Sequence, residues 1–196
     1  MRVGRGEGGP AGRWAWRGEP VQRVLISMGL TDVGGVTARV VDRVRPRVQE
    51  VGLDIVLGAG APSTSGLLKT ARRDPRLMLH VDTPHMARLT AEADIGIGAP
   101  GSSTWERCVL GLPSVLIVLA ENQRPAARAM AERGAALVVD LADPGFDAAF
   151  DRALTRLLRD ADLRRELARV SAGVCDGLGA GRTAEIFLGL IAAHRR

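Results

Sequence analysis

From Arg23 onward, short apolar runs alternate with segments whose apolar residues recur at helical spacing. Val24-Leu25-Ile26-Ser27-Met28 stops at Gly29, and a helical pattern over about Val36 to Val51 follows Gly34 and Gly35. Asp54-Ile55-Val56-Leu57 precedes a helix through Leu67, Leu68 and Ala71, and Leu77-Met78-Leu79-His80-Val81 precedes one over about Pro84 to Ala93. Ile95-Gly96-Ile97-Gly98 leads into Thr104 to Leu110, Ser114-Val115-Leu116-Ile117-Val118 leads into Gln123 to Arg133, and Ala136-Leu137-Val138-Val139 closes the series. These strands are too continuously apolar to face water on either side, so the pattern predicts an α/β fold: a Rossmann-like parallel six-stranded sheet with helices on both faces. Three more helices are predicted after Pro144, over about 146 to 158, 160 to 175 and 182 to 194.

The first 22 residues are rich in Gly, Arg, Trp and Pro without periodicity, which predicts a loosely ordered leader before a single domain over residues 23 to 196. This segment, taken to Arg23, also carries +3 of the formal +5 charge. The remaining arginines are interleaved with acids, as in Arg156, Arg159, Asp160, Asp162, Arg164, Arg165 and Glu166, which describes a solvated helix face and not a nucleic-acid surface. Lys69 is the only lysine, so a Gly-Lys-Ser/Thr phosphate loop is absent. Cys108 and Cys175 have no paired spacing, and His80 and His85 straddle a proline, so neither a thiolate site nor a helical histidine metal pair is expected. No apolar run is long enough to span a bilayer and no secretion segment is evident, so the expected location is the cytoplasm.

In an open parallel sheet, ligands bind beyond the carboxyl ends of the strands. The informative loops are therefore Gly29 to Gly35, Gly58 to Ser63, Val81 to His85, Ala99 to Glu106 and Leu119 to Arg124. The first turns through Gly29 toward a helix and offers free backbone donors, although Thr31 or Asp32 bonding locally would explain it as a plain turn. In the fourth, Ser103 and Glu106 have capping-box spacing, and Glu106 is equally suited to accept two hydrogen bonds from a ribose diol. Gly96-Ile97-Gly98-Ala99-Pro100-Gly101 matches a dinucleotide fingerprint in form, but it begins inside a strand, and Pro100 has no amide to give a pyrophosphate. Glu121, Asn122 and Gln123 place an acid and two amides at a strand end, where they suit sugar hydroxyls or a helix cap.

Ser27-Met28-Gly29-Leu30-Thr31-Asp32, Gly101-Ser102-Ser103-Thr104-Trp105-Glu106-Arg107-Cys108, Gly111-Leu112-Pro113-Ser114, Ala120-Glu121-Asn122-Gln123 and Asp176-Gly177 together resemble the PseG family. These are UDP-sugar hydrolases of pseudaminic acid biosynthesis, similar in turn to the glycosyltransferase MurG. The resemblance runs from about Arg23 to Ala192 and implies a single half of a GT-B fold, the carboxyl-terminal half that binds UDP or a UDP-sugar. It implies that Glu106 holds the ribose, that Leu79, His80 and Met86 border the uracil, and that Gly101, Ser102 and Ser103, with Gly29 and Thr31, meet the diphosphate. Glu121, Asn122 and Gln123 would face the sugar. Leu30 and Pro100 stand where the family favours glycine, which restricts backbone approach to the diphosphate.

The family's catalytic histidine belongs to the amino-terminal half, near a Gly-x-Gly-His motif that residues 1 to 22 lack. No catalytic residue, metal or cofactor is therefore assigned to this chain, which alone is expected to bind without turnover. The alternative function is an orphaned, non-catalytic domain that binds a nucleotide sugar or a partner. Ile186, Phe187, Leu190 and Ile191 have two readings: a stripe buried on the domain's own sheet, or a surface vacated by an amino-terminal GT-B half, open to that half or to self-association.

Overall fold

The computed structural model describes residues 20–194, so most of the leader assigned to residues 1–22 lies outside the described residues. Val21 packs against the core, and the backbone N–H groups of Gln22 and Arg23 both donate to the Asp94 carboxylate at 2.8 Å.

The strands are β1 (Arg23–Ser27), β2 (Gly52–Leu57), β3 (Leu77–Val81), β4 (Ile95–Gly98), β5 (Ser114–Val118) and β6 (Leu137–Asp140). The helices are α1 (Val36–Val44), α2 (Thr64–Ala71), α3 (Met86–Glu92), α4 (Ser103–Val109), α5 (Arg124–Glu132), α6 (Phe146–Arg159), α7 (Ala161–Ala172) and α8 (Gly179–His194). All strand pairs are parallel, in the order β3-β2-β1-β4-β5-β6. This is the Rossmann-like architecture that the alternation predicts.

The twofold strand period divides the core into two layers. Val24, Ile26, Leu53, Ile55, Ile95, Ile97, Val115 and Ile117 form one face with α1, α2 and α6, where Phe146 and Phe150 stack at 5.9 Å between centroids. On the other, Leu25 and Val56 pack on Leu89 of α3, and Leu116 packs on Cys108 of α4 and Met130 of α5. The chain leaves β1 toward the first face and β4 toward the second. A crevice therefore opens between these adjacent central strands at their carboxyl ends, the topological switch point of the sheet.

Two elements differ from the sequence reading. The helix expected over Val36 to Val51 ends at Val44, and Arg45–Arg47 form a tight 3-10 turn. Pro46 has no N–H to donate to the carbonyl of Asp42, so the α-helical ladder stops there. In helix α8, Ile186, Phe187, Leu188, Leu190 and Ile191 are all more than half exposed, which removes the first reading of the carboxyl-terminal stripe. They are not packed on the domain's own sheet.

Candidate functional site

The β1 loop is shaped by residues with positive φ: Gly29 (103°), Asp32 (43°), Gly34 (71°) and Gly35 (67°). Three of them are glycines, for which this conformation carries no Cβ penalty. Asp32 is the exception, and its buried carboxylate accounts for it: one oxygen accepts the Thr37 N–H at 2.8 Å and the other the Ser63 N–H at 3.1 Å. Asp32 thus fastens the start of α1 to the β2–α2 loop. Of the residues offered for a local turn, it is Asp32 that takes the role, while Gly29, Leu30 and Thr31 remain exposed at the rim. The β2–α2 loop presses against them from behind. Gly58 donates its N–H to the Leu30 carbonyl at 2.9 Å, and a Cβ at Gly58 would lie 2.5 Å from that oxygen.

Across the crevice, Gly96 and Gly98 lie within β4, so the formal dinucleotide fingerprint is not a turn. They are required by what covers them: a Cβ at Gly98 would meet the Ser27 carbonyl at 2.6 Å and an Arg107 terminal nitrogen at 2.7 Å, and one at Gly96 would meet the Ser114 hydroxyl at 2.8 Å. The chain then turns through Ala99, Pro100 and Gly101 into α4, whose cap residue is Ser102 and whose first turn has no side-chain cap.

The capping box between Ser103 and Glu106 is therefore not formed. The Ser103 hydroxyl instead accepts a hydrogen bond from Arg107 at 3.2 Å. Glu106 is exposed, and among the described residues it has no hydrogen-bond or ion-pair partner. Its acceptor capacity is uncommitted, whereas Gly101 and Ser102 beside it are exposed and Ser103 is half-buried.

The residues expected to border a base are divided by the sheet. Leu79 packs toward the α1–α2–α6 core, while His80, the next residue of β3, points to the other face and bonds Asp54 through Nε2 at 2.7 Å. Asp54 is fully buried and also receives two bonds of 2.8 Å from the Arg23 guanidinium. Met86 packs at the edge of the Leu25–Val56–Leu89 cluster, on the same face as His80.

On the sugar side, Gln123 turns back to accept the Leu119 N–H at 2.9 Å, and Glu121 pairs with Arg124 at 2.7 Å. Arg124 also pairs with Asp140. Asn122 is exposed. Two concavities, of about 680 Å³ near Trp105, Met130 and Val170 and about 690 Å³ near Arg124, Val139 and Asp140, are lined by neither Gly29 nor Glu106.

Sequence reasoning missed Arg107. It is only 2% exposed, and its charge is desolvated strongly enough to lower its pKa to about 10. The signal was present as Gly96-x-Gly98, which leaves room on one strand face for one long side chain. At the far end of the domain, Asp176 is held down to about 2 by a hydrogen bond from Arg182 and by the Leu178 N–H, which fixes the turn into α8. Among the described residues, no three His, Cys, Asp or Glu side chains converge as a metal site, and no helix is long and apolar enough to cross a membrane.

No protein-family profile matches the chain. The spore coat polysaccharide biosynthesis protein SpsG of Bacillus subtilis is 26% identical over 168 residues, which cover 84% of this chain and 49% of SpsG. Among solved structures, MurG of Acinetobacter baumannii superposes with a TM-score of 0.64 at 19% identity, over 91% of this chain and 53% of that one. The spinosyn rhamnosyltransferase SpnG, complexed with thymidine diphosphate, gives 0.61 at 20% identity, over 89% and 48%. The chain thus spans about half the length of SpsG and of these structures. It has the fold of one Rossmann-like half of a GT-B glycosyltransferase.

Proposed function

We propose that this chain is the nucleotide-sugar-binding half of a PseG-like UDP-sugar hydrolase or glycosyltransferase that builds a surface polysaccharide or a nonulosonic acid such as pseudaminic acid. The observation that carries the reading is the state of Glu106. A carboxylate on the first turn of the helix after β4, beside the switch-point crevice, is left without the capping partner its spacing offers. An ionised carboxylate only accepts hydrogen bonds, and a vicinal diol supplies two donors at matching separation. The similarity to SpsG and the thymidine diphosphate bound to SpnG support a nucleotide-sugar ligand.

In this reading Glu106 holds the ribose. The backbone of Gly29, Thr31, Gly101 and Ser102, with the Ser103 hydroxyl, receives the diphosphate, whose growing charge as UDP leaves is stabilised by fixed donors. His80 and Met86, on the α4 side of the sheet, border the base; Leu79, on the other face, contributes no side chain. Asn122 and the free amide of Gln123 face the sugar. The base that activates water or an acceptor hydroxyl comes from a second, amino-terminal GT-B half. That half covers the apolar surface of α8.

Half of a cleft buries less ligand than a closed one, so UDP is expected to bind with Kd of about 0.1 to 1 mM. Titration calorimetry of the wild type and Glu106→Ala with UDP tests the reading. At least a tenfold loss in the variant is expected, from removal of two charge-assisted bonds. Equal binding by both proteins, or none by the wild type, contradicts it.

A further inference from the structure

Arg107 is a buried cation for which, among the described residues, no carboxylate forms an ion pair. Its guanidinium donates to the Ala99 carbonyl at 2.9 Å, to the Thr104 hydroxyl at 3.1 Å and to the Ser103 hydroxyl at 3.2 Å, while its Nε has no partner. Every acceptor it uses is neutral: one, Ala99, is in the loop that leaves β4, and two, Ser103 and Thr104, open α4. Buried charges are normally paired. A packing role alone would be served by a neutral side chain of the same length beside Gly96 and Gly98.

These contacts have directional consequences. An arginine can only donate, so the Ser103 oxygen spends a lone pair on it, and the hydroxyl hydrogen is left to point elsewhere. Ser103 is half-buried and borders the crevice, so that hydrogen has an outward path. The bond to Ala99 likewise turns a backbone carbonyl inward, away from the surface where an anion would meet it. Thr104 is buried and returns its own hydroxyl to the Ala99 carbonyl at 3.4 Å, which closes the arrangement on the inner side. One cation thus engages the Ala99 carbonyl and the Ser103 oxygen from beneath and leaves the Ser103 hydroxyl hydrogen for another acceptor.

We propose that Arg107 is a positioning residue for an anionic ligand: it orients the Ser103 hydroxyl as a donor and supplies, from beneath the Ala99–Ser103 loop, the positive charge that a diphosphate completes. This deepens the nucleotide-sugar reading and rests on it. Arg107 touches no ligand itself. The neighbouring Glu106 carboxylate attracts Arg107 without forming a direct ion pair, and a bound diphosphate adds the rest of the counter-charge.

The test is a pair of NMR titrations, with UDP and with uridine, on the wild type, Arg107→Met, Arg107→Lys and Ser103→Ala. The methionine fills the same space without charge, and the lysine keeps the charge without the fork. The wild type is expected to prefer UDP to uridine. Arg107→Met and Ser103→Ala should each weaken UDP binding about tenfold, the loss typical of one charge-assisted bond, and leave uridine binding unchanged. Arg107→Lys should recover part of the preference. If Arg107→Met fails to fold, Ser103→Ala decides, because its side chain is small and lies at the rim. Equal losses for UDP and uridine, or no loss of UDP binding, overturn the proposal and leave the nucleotide reading standing. No UDP binding by the wild type removes both.

Discussion

Glu106 and Arg107 are consecutive, oppositely charged residues that do not pair. The helix directs Glu106 into solvent beside the crevice and Arg107 under the loop, where neutral oxygens receive it. The two attract each other without a direct ion pair, and both lie at the start of α4 just after β4. A protein that needed only to start a helix here had a simpler solution in the capping box its sequence contains. An uncommitted carboxylate and a buried cation without a direct ion pair flank the place where the proposed reading puts a ribose and a diphosphate.

Asp32 is expected to be the residue on which the β1 loop depends. Asp32→Ala leaves the buried N–H groups of Thr37 and Ser63 without acceptors and places a Cβ-bearing residue at positive φ with no hydrogen bond to hold it there. Orphaned buried donors cost about 1–3 kcal/mol each. A loss of about 3 kcal/mol in urea unfolding is predicted, whereas Thr31→Ala, exposed one residue earlier, should change stability by less than about 0.5 kcal/mol. Similar values for the two would contradict the assignment of Asp32 as the anchor.

The Arg23–Asp54–His80 cluster separates structural from ligand roles on the base side. Asp54→Ala strips a part-buried guanidinium and an imidazole of their shared partner and should cost about 3 kcal/mol. His80→Ala leaves Asp54 paired with Arg23, so a cost of about 1 kcal/mol is expected. Urea unfolding of both variants checks the order, which must be Asp54 above His80.

The strands were legible because each is a short apolar run closed by glycine or a polar break, and the six observed strands fall where that pattern places them. Residues that bond across the sheet were not. Asp54 in Leu53-Asp54-Ile55 shows that something polar must lie opposite, but not that Arg23 and His80 supply it. Ser103 and Glu106 gave a spacing with two physical outcomes, and only the buried position of Arg107 removes one of them. The end of α1 was readable in Pro46 and was overridden by the apolar spacing continuing through Val48 and Val51. Helix α8 carries a stripe of the kind that normally marks a buried face. Local sequence cannot say whether the covering surface belongs to the same unit.

That exposed stripe predicts association. Ile186, Phe187, Leu188, Leu190 and Ile191 are each more than half exposed within six residues of one helix, and exposed apolar residues gathered in this way mark interaction sites. Light scattering should show mass rising with concentration for the wild type and a constant monomer for Phe187→Ser/Ile191→Ser, with unfolding free energies within about 0.5 kcal/mol of each other. A monomeric wild type at high concentration, or a serine variant that loses stability, would show that the helix is covered within the chain.

The most direct test of the account is to locate the ligand on the protein. In a backbone amide NMR titration with UDP, the largest shifts are predicted at Gly29, Leu30 and Thr31 and at Gly101, Ser102, Ser103 and Glu106, on the two sides of the β1–β4 crevice. Smaller shifts should reach the arm of β3 and α3 at His80 and Met86. The groove near Arg124, Val139 and Asp140 should stay unperturbed. Shifts confined to that groove, or to the concavity beside Trp105 and Val170, would place the ligand elsewhere and contradict the account.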